Sequence, residues 1–242
     1  MSWLYLLINL AAISVPLIFT FHPKIQFYKN WRATLLSLFV TASFFLVWDN
    51  IFTELGVWGF NERYLLGIYI FQLPIEEVLF FFCIPYACLF TYHSLKKLVF
   101  TEKYKVLTGK FTFFMMAIIL LVAFLNFTRL YTFYTFLFLS LCILLADNFL
   151  RKNFYLFIKQ FLILMIPMVA VNGILTGTGI PEEVVWYNDA ENIGIRILTI
   201  PVEDFFYGMT FMLLNIFLYE HFLSKKKKIL KKEVHSSGYQ TG

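Results

Sequence analysis

Charge is scarce in this chain. Only 14% of its 242 residues are Asp, Glu, Lys or Arg, against 60% that are hydrophobic, so a water-soluble fold would expose more apolar surface than water tolerates. Cysteine is scarce as well. Cys83, Cys88 and Cys142 all lie inside apolar runs, where a thiol acts as a small hydrophobe, and this argues against a disulfide framework or a thiolate metal site. His22, His93, His221 and His235 are scattered over helix ends and the tail without ligand spacing, so no metal is expected. No G-x-G-x-x-G follows a strand-like run, and no nucleotide cofactor is expected either.

What the chain has instead is length in apolar runs. A hydrocarbon core of roughly 30 Å needs about 20 apolar residues per helix, and suitable segments occur near 3–21, 33–51, 68–92, 111–127, 130–147, 155–175 and 195–222. The first has no Lys or Arg before it and no small-residue cleavage pattern at its end, so it reads as a helix rather than a signal peptide. Basic residues alternate by loop: Lys24, Lys29 and Arg32; then Lys96, Lys97, Lys103, Lys105 and Lys110; then Arg151 and Lys152; then Lys225 to Lys228. The intervening loops are acidic or near neutral, which places the amino terminus outside and the carboxy terminus in the cytoplasm. The Lys-rich tail suits anionic lipid at the membrane surface, and no nucleic acid is expected.

The chain also repeats itself. Gly67 to Glu77 aligns without a gap on Gly194 to Asp204, 127 positions later, with Gly, two Ile, Pro and Glu in common. Each stretch leads into a Phe-rich helix that ends in a tyrosine, Tyr92 and Tyr219 at the same interval. The expected architecture is therefore an all-α membrane protein of about seven transmembrane helices. Two parallel three-helix repeats occupy 1–110 and 130–224, joined by a linker helix over 111–129 and followed by a basic tail over 225–242.

Both repeats carry paired acids, Glu76-Glu77 and Glu203-Asp204. A carboxylate within a membrane helix costs about 2.5–3.5 kcal/mol on insertion scales, so such acids usually serve a site. Holding a Glu protonated at pH 7 costs only about 3.7 kcal/mol, and acids in close quarters suit opposite protonation states, one donor and one acceptor. Neighbours on a helix point about 100° apart, so one member of each pair faces the site. Glu203 would meet Glu76 if the units pack about a pseudo-twofold. Pro74 and Pro201, if inside helices, would free the carbonyls of Ile70 and Ile197. The competing reading puts the prolines at helix starts, with the acids complementing the positive helix ends. Asp49, Asn50 and Asn172 fall on the same side and could orient the carboxyls. Phe80 and Phe81, matched with Phe205 and Phe206, would line a cavity between the acids and solvate a cation through their ring faces.

With P-x-E-[ED] followed by Phe-rich helix in both halves, the chain resembles the small membrane lycopene cyclases, over nearly its whole length and in their fused form. The second motif departs from the first in reading Glu-Asp. The resemblance implies cyclisation of acyclic carotene end groups, lycopene to β-carotene, without electron transfer and without a cofactor. An acid protonates the terminal double bond, the neighbouring alkene attacks the tertiary cation, and a base removes a ring proton. It further implies Glu76 and Glu203 as the leading acid/base pair with Glu77 and Asp204 in support, a lipophilic carotene substrate, contact with membrane lipid, and room for association with other carotenoid enzymes. The alternative of a different class is a proton-coupled transporter or channel, which also uses intramembrane acids. A retinal receptor is excluded by the lack of lysine in 195–222.

Overall fold

The computed structural model describes residues 2–99 and 108–237, with side chains as far as Lys226. Lys103 and Lys105 of the expected cytoplasmic loop lie outside the described residues, as do 238–242. Seven helices run through the described chain: α1 (Leu4–Phe19), α2 (Trp31–Glu54), α3 (Ile75–Leu98), α4 (Gly109–Leu125), α5 (Leu130–Leu145), α6 (Asp147–Leu175) and α7 (Val202–Ser237). Residues 27–54, α3 and α6 are long and apolar enough to cross a membrane by length and composition. α1 and α5 have 16 residues each, which at 1.5 Å per residue gives about 24 Å of helix.

Two boundaries differ from the hydropathy reading, and for one reason. The apolar runs beginning at 68 and 195 open as tight hairpins, not as helix. β2 (Tyr69–Ile70) pairs with β3 (Leu73–Pro74), and β5 (Arg196–Ile197) with β6 (Ile200–Pro201), in the same register 127 residues apart. Each hairpin is entered through a glycine in the left-handed region, Gly67 at φ 77° and Gly194 at φ 78°, where a Cβ would be strained. At the tips, Phe71 and Leu198 take the same left-handed conformation, φ 56° and 58°.

The prolines thus stand just before their helices, Pro74 extended at φ −65° and ψ 150°. A ring with fixed φ and no N–H fits that junction. The expected intrahelical prolines are corrected accordingly: Ile70 and Ile197 pair with Leu73 and Ile200 in the hairpins and are not freed within a helix. α6 also begins earlier than expected, so Arg151 and Lys152 are helical residues.

A third strand pair joins the halves. β1 (Trp58–Phe60) runs antiparallel to β4 (Val185–Tyr187), with Gly59 opposite Trp186. Around this pair an aromatic core gathers Phe45, Trp48, Phe52, Phe81, Tyr131 and Phe211. A second core at the other end of the bundle holds Phe27, Tyr86, Leu89, Leu139, Ile216 and the edge-on pair Tyr92 and Tyr219.

Packing is unequal on the two sides. α2 lies closely along α3 and α7, whereas α6 touches both only sparsely. The space left beside α6 is a cavity of about 230 Å³.

Candidate active site

The helix start at Ile75 separates the first pair of acids. Glu76 turns back toward the loop, accepting a hydrogen bond at Oε1 from the Leu66 backbone N–H at 2.7 Å, while Asn9 Nδ2 donates to its carbonyl at 2.7 Å. Glu203 does the same in the second half. Its Oε1 accepts from the Ile193 N–H at 2.8 Å and from the Thr132 hydroxyl at 2.6 Å. Both are fully buried. Each fastens a loop to a helix beginning, where the helix dipole favours an acid.

The second acids point elsewhere. Glu77 and Asp204 both line the cavity, and Glu76 and Glu203 are not among its lining residues. Glu77 accepts a short hydrogen bond from the Tyr5 hydroxyl. Asp204 accepts three: from Tyr131 at 2.5 Å on Oδ1, and from Tyr187 at 3.1 Å and Asn172 at 3.2 Å on Oδ2. Tyr5 and Tyr131 are each the second residue of a 16-residue helix, α1 and α5. A tyrosine near the start of α1 thus reaches Glu77 on α3, and one near the start of α5 reaches Asp204 on α7.

From the acids inward, the walls follow helical stripes. On α3 the lining runs Glu77, Phe80, Phe81, Ile84 and Pro85; on α7 it runs Asp204, Tyr207, Gly208, Phe211 and Met212. Steps of three and four keep these side chains on one face. Phe80 and Phe81 line the cavity, whereas Phe205 and Phe206 fall off the stripe and are not among its lining residues; Phe206 packs on Phe136 at 4.7 Å. The 127-residue register sets Phe80 against Tyr207 and Phe81 against Gly208.

Three further polar groups complete the acidic end. Asp49, near the end of α2, lines the cavity and accepts from Trp58 Nε1–H at 2.6 Å. Tyr187 and Tyr207 line it too. Asn172 donates to Asp204 Oδ2, whereas Asn50 is spent on the hairpin, accepting from the Gln72 N–H at 3.0 Å. An isolated tyrosine forms no motif, so the sequence did not single out Tyr187, whereas Tyr207 belongs to the aromatic run beside the second motif, three residues after Asp204 on a helix.

The remaining wall is apolar: Leu164, Met168 and Val171 of α6 and Ala12 of α1, among others. No lysine or arginine is found among the described lining residues. The nearest basic side chain of the second motif, Arg196, bonds to Asp189 at 2.6 Å and to the Thr199 carbonyl at 2.8 Å. Carboxyls shielded from water at the end of an aromatic chamber can exchange protons with an apolar guest, and ring faces can stabilise a cation formed there.

This is a helical membrane protein with a carboxyl-capped apolar chamber. A family model described as lycopene cyclase matches residues 2–95 and 128–222; the chain belongs to the lycopene cyclase family. No curated protein and no solved structure was found to match it. Membership makes it an enzyme of carotenoid cyclisation, with a carotenoid substrate.

Proposed function

We propose that the enzyme isomerises acyclic carotene end groups to β rings, turning lycopene into β-carotene by acid–base catalysis. The observation that carries this reading is the placement of Glu77 and Asp204 together at the polar end of an otherwise apolar cavity. Glu77 is the proton donor. Its carboxyl has one tyrosine partner, Tyr5, and faces the chamber. Asp204, ringed by three donors, suits a carboxylate, and offers a fixed negative charge to the cation without consuming the proton. Glu76 and Glu203 brace the motif loops.

The topology proposed with it has seven transmembrane helices. Parallel units, 1–110 and 130–224, are joined by a linker over 111–129, with the amino terminus outside and the 225–242 tail in the cytoplasm. Supporting this are the hairpins, left-handed residues and loop-to-acid hydrogen bonds that recur at the 127-residue interval. The antiparallel pairing of Gly59 with Trp186 is what a pseudo-twofold along the membrane normal would produce. Membrane lipid covers the outer apolar faces, and carotene arrives from other enzymes of the same pathway class.

Expression in lycopene-accumulating cells, with pigments resolved by chromatography, tests the activity. Rings at one or both ends are expected. Unchanged lycopene with the protein present in membranes would reject it.

A further inference from the structure

The cavity holds a carboxyl that lies outside both acidic motifs. Asp49 is 3% exposed; its Oδ1 is held by the Trp58 indole at 2.6 Å, and its Oδ2 is buried with no hydrogen-bond partner. Asp204, by contrast, has a donor on each oxygen. Trp58 is itself fixed, paired in β1 with Tyr187 and edge-on to the Tyr131 ring at 5.1 Å. The indole therefore aims the carboxyl as well as bonding it.

Asp49 also breaks the repeat. Its counterpart at the 127-residue interval is Thr176, which lines the same cavity but carries no acid and bonds back to the Asn172 carbonyl at 2.8 Å. A site with two matched acids and one unmatched one is chemically directional. Asp49 and Glu77 line the same cavity.

We infer that Asp49 is the base of the reaction, its carboxyl taking the ring proton; this rests on the cyclase reading above. Glu77 delivers its proton to the terminal alkene, leaving a tertiary cation. The neighbouring alkene supplies the electron pair for the new ring bond and becomes the second cation. The Asp49 carboxylate then accepts a proton from the adjacent ring carbon, and the C–H electron pair forms the ring double bond. One proton has entered and one has left, and no oxidant or water is consumed. The proton passes from Asp49 back to Glu77, restoring the starting state.

The test compares wild type, Asp49→Asn and Asp49→Glu in lycopene-accumulating cells, scoring each ring isomer per amount of membrane-inserted protein. Asp49→Asn is expected to lower β-ring formation by roughly 100-fold or more, as loss of a general base does. The residue of product should shift toward γ or ε rings, which arise when a proton leaves another carbon. A merely structural role would lower all products together and leave their ratio unchanged. Undiminished β rings in Asp49→Asn, or reduced rings in an unchanged ratio, would overturn the assignment. Should Asp49→Asn not reach the membrane, Asp49→Glu decides, since a longer carboxyl must alter the isomer ratio; an unaltered ratio sinks the idea. Wild type giving no rings would instead reject the cyclase reading and take this inference with it.

Discussion

Gly59 lies beneath the indole of Trp186, its partner across the β1–β4 strand pair. A Cβ at Gly59 would come within 2.3 Å of that ring. The two residues are separated by the same 127 positions as the acidic motifs.

Replacing Gly59 by alanine forces the indole out of place. Overpacking of this kind costs about 1–3 kcal/mol, and a lower midpoint of thermal unfolding in detergent is the expected result. Trp186→Ala in the same chain should recover much of the loss, because the two changes share one contact.

Glu76 and Glu77 are adjacent but should fail in different ways. Glu77→Gln removes the proton source and should cut ring formation per inserted protein by roughly 100-fold or more. Glu76→Gln weakens the tie to the Leu66 N–H, a net hydrogen bond worth about 0.5–1.5 kcal/mol. Less folded protein, with near-normal turnover in what remains, is expected. Immunoblots of membranes beside pigment chromatography separate the two.

The tyrosines give a graded version of the same contrast. Tyr131→Phe takes one of three donors from Asp204, whereas Tyr5→Phe takes the tyrosine partner of Glu77. At about 1.4 kcal/mol for a net hydrogen bond, each change is worth roughly tenfold in rate. Tyr5→Phe should be the more damaging, and initial rates of cyclic product will rank them.

Acid should loosen the second hairpin. The Arg196 hydrogen bond, followed by that of Asn192, holds the Asp189 carboxyl below the usual carboxylate range. A carboxyl lowered on folding contributes stability that is present above its unfolded value and lost as pH falls through its folded one. Protease cleavage within 185–200 should therefore rise as pH drops below the ordinary carboxylate range. Asp189→Asn should show that cleavage at neutral pH and lose the pH dependence.

Much of this anatomy could be read before any coordinates. The apolar runs located seven helices because hydropathy is summed over many residues, but the hairpins that open the runs at 68 and 195 read as helix, since their residues are mostly apolar, like those of the helices they precede. Which acid faces the chamber was not legible. Shifting a helix start by one residue rotates every side chain by about 100°, and only the hairpins that capture Pro74 and Pro201 fix that start. Phe205 and Phe206 stand one and two residues after Asp204, whereas Phe80 and Phe81 stand three and four after Glu77, so the two pairs are alike in composition but not in phase. Asp49 was legible as a polar helix end on the acids' side, whereas Tyr5, Tyr131 and Tyr187 belong to distant segments, and nothing local to them announces that they converge.

The loose seating of α6 bears on how a long molecule with two equivalent ends is processed. Under the cyclase reading proposed above, a chamber beside one helix would take one end of such a molecule at a time, so closing both ends would require two visits, with a singly closed product released between them.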